Sequence, residues 1–206
     1  MNLNLENYLP RYLSDESNDS LIQNLHQFPD NIDERFYINF PDLIVLQGDG
    51  YRNLLIINLP SREIQPGNGI IISNTCDLFN SDRKLYDVDF TYAPIINFAK
   101  FSNLLTETYS GDPDKLKKID STLISIKQQH VSNIFFLPAN HYFNESIVFL
   151  DKLISCNVQH INQCINIEED RLFSLSQYAH YLLLFKMSFH FSRIKEKIDR
   201  DKGIVL

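Results

Sequence analysis

The feature that most constrains this chain is the run Gly69-Ile70-Ile71-Ile72-Ser73-Asn74-Thr75-Cys76-Asp77-Leu78. Three consecutive β-branched residues favour an extended backbone, and a short unbroken apolar run suits a buried strand. The run follows a polar loop from Pro60 to Pro66 and the turn signal Pro66-Gly67-Asn68-Gly69. It ends abruptly in hydroxyl, amide, hydroxyl, thiol and carboxylate, so Ile70 to Asn74 is expected to form a central strand. A buried strand that stops in such a cluster is where a site would sit. Ser73, Asn74, Thr75, Cys76 and Asp77 are therefore the first candidate binding residues.

Short β-rich runs surround this strand. Phe36 to Phe40 reads as a strand or an anchoring aromatic segment. Leu43 to Leu46, the turn Gly48-Asp49-Gly50 and the run about Leu54 to Ile56 predict a hairpin. Beyond a polar loop at 80–84, Val88, Phe90 and Tyr92 alternate with Asp89 and Thr91, the period of a half-buried strand. Ile134 to Leu137, Ile147 to Leu150 and a stretch through Leu153 to Val158 add further β elements.

Helical spacing appears in three places. Phe98 to Thr108 offers Phe98, Phe101, Leu104 and Leu105, and 113–130 offers Leu116, Ile119, Leu123 and Ile126 behind an Asp112-Pro113 start. The longest helix is expected from Ser174 or Ser176 to about Arg200, burying Leu175, Tyr178, Leu182, Phe185, Phe189 and Ile194. Residues 1–13 suggest an arm or short helix. Asp19-Ser20 would cap another short helix with Leu21, Ile22 and Leu25 inside.

Hairpin-linked strands, rather than strand–helix–strand crossovers, point to an antiparallel sheet. The expected architecture is a single α+β domain over 1–206. It has an N-terminal arm or helix over 1–40 and a small antiparallel barrel over 41–160. A helical insertion at about 98–130 and a long C-terminal helix over 170–200 complete it.

Composition bounds the function classes. The net charge of -7 weighs against indiscriminate nucleic-acid binding, which needs clustered cations. Seven carboxylates stand against two arginines over 1–35, and seven cations against four carboxylates over 170–206. The two ends can attract one another, or the basic end can dock a partner. Cys76, Cys156 and Cys164 form neither a disulfide framework nor a CxxC zinc pair. No apolar run approaches the about 20 residues that span a bilayer, and the first residues lack a signal-peptide pattern. A reducing, cytoplasmic setting without membrane contact is expected.

The segment Gly67 to Asn74 resembles the apolar strand ending in Ser-Asn of PemK/MazF-like small barrels. The fuller Ser73-x-x-Cys76-Asp77-Leu78 is similar to a set of uncharacterised bacterial Ser-x-x-Cys-Asp proteins. Phe135-Phe136-Leu137-Pro138, Val148-Phe149-Leu150-Asp151, Leu175-Ser176 and Ser192-Arg193 match later features of that set. The resemblance spans about residues 42 to 198. It implies an SH3-like barrel and a bacterial setting such as phage defence, mobile elements or a toxin–antitoxin system. The ribonuclease members of the PemK/MazF group use an early-loop Arg with a Ser or Thr near the strand. Arg52 or Arg62 with Thr75 would carry those roles here, against which the acidic balance weighs.

The chemistry of Cys76-Asp77 reads four ways. As a nucleophile, Cys76 needs a base such as His130 or His141, His141 being the better placed after Pro138. An adjacent carboxylate raises a thiol pKa unless it orients the histidine. As metal ligands, the pair lacks a close second pair, so no metal or cofactor is expected. As structure, Cys76 is a small buried hydrophobe and Asp77 accepts backbone N–H groups in the next loop. As a binding site, Ser73, Thr75 and Asp77 line a barrel mouth. His180 and His190 lie ten residues apart on the long helix, too far for one shared turn. No Gly-rich phosphate loop, GxSxG or HExxH is present. The sequence favours a non-catalytic interaction or regulatory component, with a protein partner or a second copy meeting the wide apolar side of the C-terminal helix. A PemK/MazF-like endoribonuclease is the alternative, followed by a Cys76-dependent hydrolase.

Overall fold

The computed structural model describes residues 32–79, 85 and 88–192, together with 16, 19, 20, 23, 24, 27–30, 198, 199, 203 and 204. The expected arm at 1–13, the inner residues Leu21, Ile22 and Leu25, the loop at 80–84 and Ile194 lie outside them.

Eight strands form one antiparallel sheet: β1 Tyr37–Ile38, β2 Gly50–Asn58, β3 Glu63–Ile71, β4 Asp89–Asn97, β5 Ile134–Leu137, β6 Ser146–Phe149, β7 Ile154–Asn157 and β8 Arg171–Leu175. Their order is β1-β8-β2-β3-β4-β6-β5, with β7 also paired to β4. The path is open, with β1 and β5 at its ends, so the sheet does not close into a ring. Helices are α1 Thr75–Phe79, α2 Phe98–Thr108, α3 Pro113–Lys127, α4 Ile161–Cys164 and α5 Gln177–Ser192. A separate pair, β9 Ile198–Asp199 and β10 Gly203–Ile204, follows.

Ile70 and Ile71 are both fully buried, but on opposite sides of the sheet. Ile70 joins the core under α5 with Phe36, Phe135, Phe173, Tyr178 and Leu183. Ile71 joins Tyr51, Leu54, Phe90 and Tyr92 on the other side. A third cluster, with Phe98, Ile126 and Phe136, seats the α2–α3 pair. Alternating side chains of one β-branched run thus enter two cores, each worth about 1.5–3 kcal/mol on burial. The starts of both middle helices follow their caps. Asn97 Oδ1 accepts the Lys100 N–H, and Asp112 Oδ1 accepts the Lys115 N–H ahead of Pro113. Of the α2 residues expected inside, Leu104 instead faces solvent.

Four expectations need correction. Leu43 to Leu46 is not a strand; Leu43 is 64% exposed, and the chain turns through Gly48 at φ +91° into β2. The hairpin is β2–β3 instead, turning at 59–62. Pro66 to Gly69 is not a turn either, since Leu55 pairs Pro66 and Leu54 pairs Gly67 inside it. Glycine serves close packing there: a Cβ on Gly67 would stand 2.6 Å from Ile56 Cγ1. Pro66 is tolerated because β4 accompanies β3 only over Gly69–Ile71. The central strand stops at Ile71 rather than Asn74.

The fourth correction concerns the C-terminal helix. Arg171–Leu175, including Ser174, is strand β8, and α5 ends at Ser192 with Ile198–Asp199 extended. Its buried residues are Tyr178, Ala179, Tyr181, Leu182, Leu183 and Lys186, whereas Phe185 and Phe189 point outward.

The β2–β3 hairpin outruns its neighbours. β8 pairs β2 only at Gly50 and Tyr51, so among the described residues no third strand lies beside the ladder from Leu54 to Gly67. Leu55, Ile57, Leu59 and Ile64 are exposed on this projection, and the Tyr92 hydroxyl donates to the Leu55 carbonyl at its base.

Candidate functional site

The polar cluster after Ile71 is built into the backbone. Ile72 N–H and Ser73 N–H donate to the Thr91 carbonyl at 2.8 and 3.1 Å, and Ser73 Oγ accepts the Thr91 N–H at 2.7 Å. Asn74 Oδ1 accepts the Cys76 N–H at 2.9 Å, and Asn74 O accepts the Asp77 N–H, which starts α1. Thr75 Oγ1 accepts the Gln47 N–H at 3.0 Å. Three side chains therefore satisfy donors that a strand end would otherwise leave open. Cys76 is exposed on the first turn of α1, which corrects the expectation of a buried thiol; Asp77 is exposed beside it. The capping side chain of this turn is Asn74.

His180 approaches this segment through Gln47. Gln47 Nε2 donates to the Ile72 carbonyl at 2.7 Å, which turns its amide oxygen toward His180 Nε2 at 3.2 Å. His180 Nε2 therefore donates, and burial pushes its pKa down. Nothing in the sequence signals this contact, because Gln47, Thr75 and His180 meet only through the fold. His130 follows α3 and is exposed, while His141 lines a separate groove that includes none of residues 73–77. His141, the better placed of the two expected bases, is thus not brought to Cys76.

The two candidate arginines stand apart from one another. Arg62 sits at the hairpin turn, φ +60°, with its N–H on the Asn58 carbonyl. The eight residue steps of β3 put it roughly 26 Å from the strand end that leads to Thr75. Arg52 is exposed at the start of β2, its N–H on the Asp170 carbonyl. The hairpin geometry therefore does not unite Arg62 with Thr75.

A groove of about 910 Å³ opens on another face of the molecule. Asn39 to Leu43 form one wall, Asn140 to Tyr142 the other, and β8 lies at its base. The Tyr37 hydroxyl ties the two walls by donating to the Pro138 carbonyl at 2.7 Å. Arg171 holds the first wall in place. Its Nε donates to Tyr51 Oη at 3.0 Å, Nη1 to the Phe40 carbonyl at 2.7 Å and Nη2 to the Ile44 carbonyl at 2.6 Å.

Asp49 lies behind Arg171, 1% exposed, with Oδ2 3.6 Å from Nε and accepting the Leu46 N–H at 2.9 Å. Burial raises its pKa, against the pull of the Leu46 N–H, the Ser174 hydroxyl and the guanidinium. Ser174 Oγ faces this carboxyl, yet neither it nor Asp49 Oδ1 closes a hydrogen bond of full geometry. Burial, with Asp49 adding to it, pushes the Tyr51 phenol up to about 12. Sequence reasoning missed this network; only the polarity of Asp49 between two glycines hinted at it.

No group of three metal-ligating side chains comes together among the described residues, and none of their helices is long and apolar enough to cross a membrane. No protein-family model and no curated protein matches the chain.

Proposed function

We propose that the protein is a non-catalytic interaction or regulatory component that binds a protein partner in a cytoplasmic, bacterial defence or toxin–antitoxin-like system. One observation carries the reading: Ser73, Asn74 and Thr75 each accept a backbone N–H, so the most reactive-looking cluster serves the strand end. The open groove between 39–43 and 140–142 supports a binding role, and the exposed Phe185, Phe189 and Phe191 support partner or self contact through α5. The Ser-x-x-Cys-Asp likeness supports the bacterial setting. The SH3-like barrel it implies belongs to the same proposal, supported by the shared apolar cluster that β2, β3 and β4 line.

The test compares folded variants in the native host. Cys76→Ala and Asp77→Asn are expected to keep biological activity, whereas Tyr142→Ala in the groove is expected to lose it. Loss of activity in Cys76→Ala alone would sink the reading in favour of a hydrolase. Cleavage of labelled single-stranded RNA by purified protein would replace it with the ribonuclease.

A further inference from the structure

We propose that the groove takes an extended segment of a partner protein carrying lysine or arginine side chains. The inference rests on the partner-binding reading above and names the partner's chemistry.

The sign of the groove follows from how its charges are spent. Arg171 is the cation at its base, but its side chain is only 12% exposed and all three guanidinium nitrogens already donate inward. Its charge is offset by the buried Asp49 carboxylate 3.6 Å away. The acidic residues on the lining, Asp42 and Glu168, are exposed and stand at the rim. A ligand entering the groove therefore meets two uncompensated carboxylates and no accessible guanidinium. Like charge would be repelled and a cation drawn in.

The shape indicates an extended segment. β1 ends the sheet, and nothing pairs its outer edge among the described residues. Ile38, 45% exposed, and the non-helical backbone of Asn39 to Leu43 continue along the wall. An edge strand beside a cleft is the setting in which a peptide adds main-chain hydrogen bonds and places alternate side chains in pockets. Tyr142, 70% exposed, supplies a ring face for a cationic head and its methylene stem. The volume lies at the upper end of ligand clefts.

The test is fluorescence anisotropy with the full chain and three labelled decapeptides, valine alternating with arginine, threonine or glutamate, at 50 and 150 mM salt. The arginine peptide is expected to bind tightest and to weaken with salt. The Asp42→Asn/Glu168→Gln pair is expected to weaken it about fivefold to tenfold. The Glu107→Gln/Asp120→Asn pair on the helices, which removes the same charge away from the groove, is expected to leave it unchanged. Equal loss in both pairs marks bulk attraction to an acidic protein and overturns the proposal. Tighter binding of the threonine or glutamate peptide, lost in Tyr142→Ala, overturns it while leaving a protein partner intact. No binding by any peptide overturns it outright. A labelled single-stranded RNA decamer that binds and is lost in Tyr142→Ala overturns both the proposal and the protein-partner reading.

Discussion

Lys186 grips Gln129 at two points, donating to its carbonyl oxygen at 3.0 Å and to its Oε1 at 2.9 Å. The Ile134 carbonyl takes a third hydrogen bond from the same ammonium. Three neutral oxygens match the three N–H groups, and α5 is thereby pegged to the α3–β5 connection. Gln129 is held in turn by β5, its amide bonding both the carbonyl and the N–H of Phe136.

This peg makes stability depend on pH. Burial lowers the Lys186 pKa to about 7 from an ordinary 10.5. Between those values the unfolded chain holds one more proton than the folded chain, so stability rises with pH across that window. Urea titrations from pH 6.5 to 10.5 should show a gain of about 3–5 kcal/mol at the upper limit, at 1.36 kcal/mol per pKa unit. Lys186→Met should flatten that slope. It should also lower stability at pH 10, where the Gln129 and Ile134 carbonyls lose this donor.

The Arg171–Asp49 pair gives a second expectation. Arg171→Leu leaves a buried carboxylate uncompensated and frees the 40–44 wall, a loss of about 3–5 kcal/mol in urea unfolding. The Asp49→Asn/Arg171→Leu double variant should recover part of that loss. If the double variant is as unstable as the two single losses added, the two side chains do not act as a pair.

Gly50 is expected to be intolerant of any side chain. A Cβ there would stand 2.3 Å from the Phe173 ring, which is itself buried against Tyr37 and Phe143. The ring is held between those two aromatic neighbours, so Gly50→Ala should cost about 1–3 kcal/mol of overpacking strain. Gly111, with nothing near its Cβ position, should accept alanine with little change when thermal melts of the two variants are compared.

The polar strand end should respond to structure-directed changes rather than chemical ones. Thr75→Val removes the acceptor of the Gln47 N–H and should cost about 1–2 kcal/mol, while Thr75→Ser retains it. Cys76→Ala, on an exposed turn, should stay within about 0.5 kcal/mol of the parent protein.

What the sequence revealed depended on whether the signal was local. The Ile70-Ile71 pair declared a strand buried on both sides, and Asp112-Pro113 declared the start of α3, because each rule acts within a few residues. Pro66 to Gly69 misled because its glycines admit Ile56 and Leu54 from the facing strand, a demand created across the hairpin. The α5 face misled for another reason. Phe185 and Phe189 are as apolar as the buried Leu182 and Leu183, so periodicity could not choose a side. At the site, the hydroxyls and amide of 73–75 were legible as polar but not as occupied. The Asn74 amide closes on the nearby Cys76 N–H, but Gln47 and Thr91, which the two hydroxyls serve, become neighbours only in the fold. Arg171 and Asp49 were invisible for the same reason, being 122 residues apart in the chain and 3.6 Å apart in space.

The unaccompanied outer length of the β2–β3 hairpin has a practical consequence. Its strands past Ile56 are paired with each other, so disturbance at the 59–62 turn has to travel back along the ladder to Ile56 and Leu54 before it meets the second core. That turn, separated by the length of β2 from the Gly50–Tyr51 end that pairs β8, is a natural attachment point for a fluorophore or an inserted epitope.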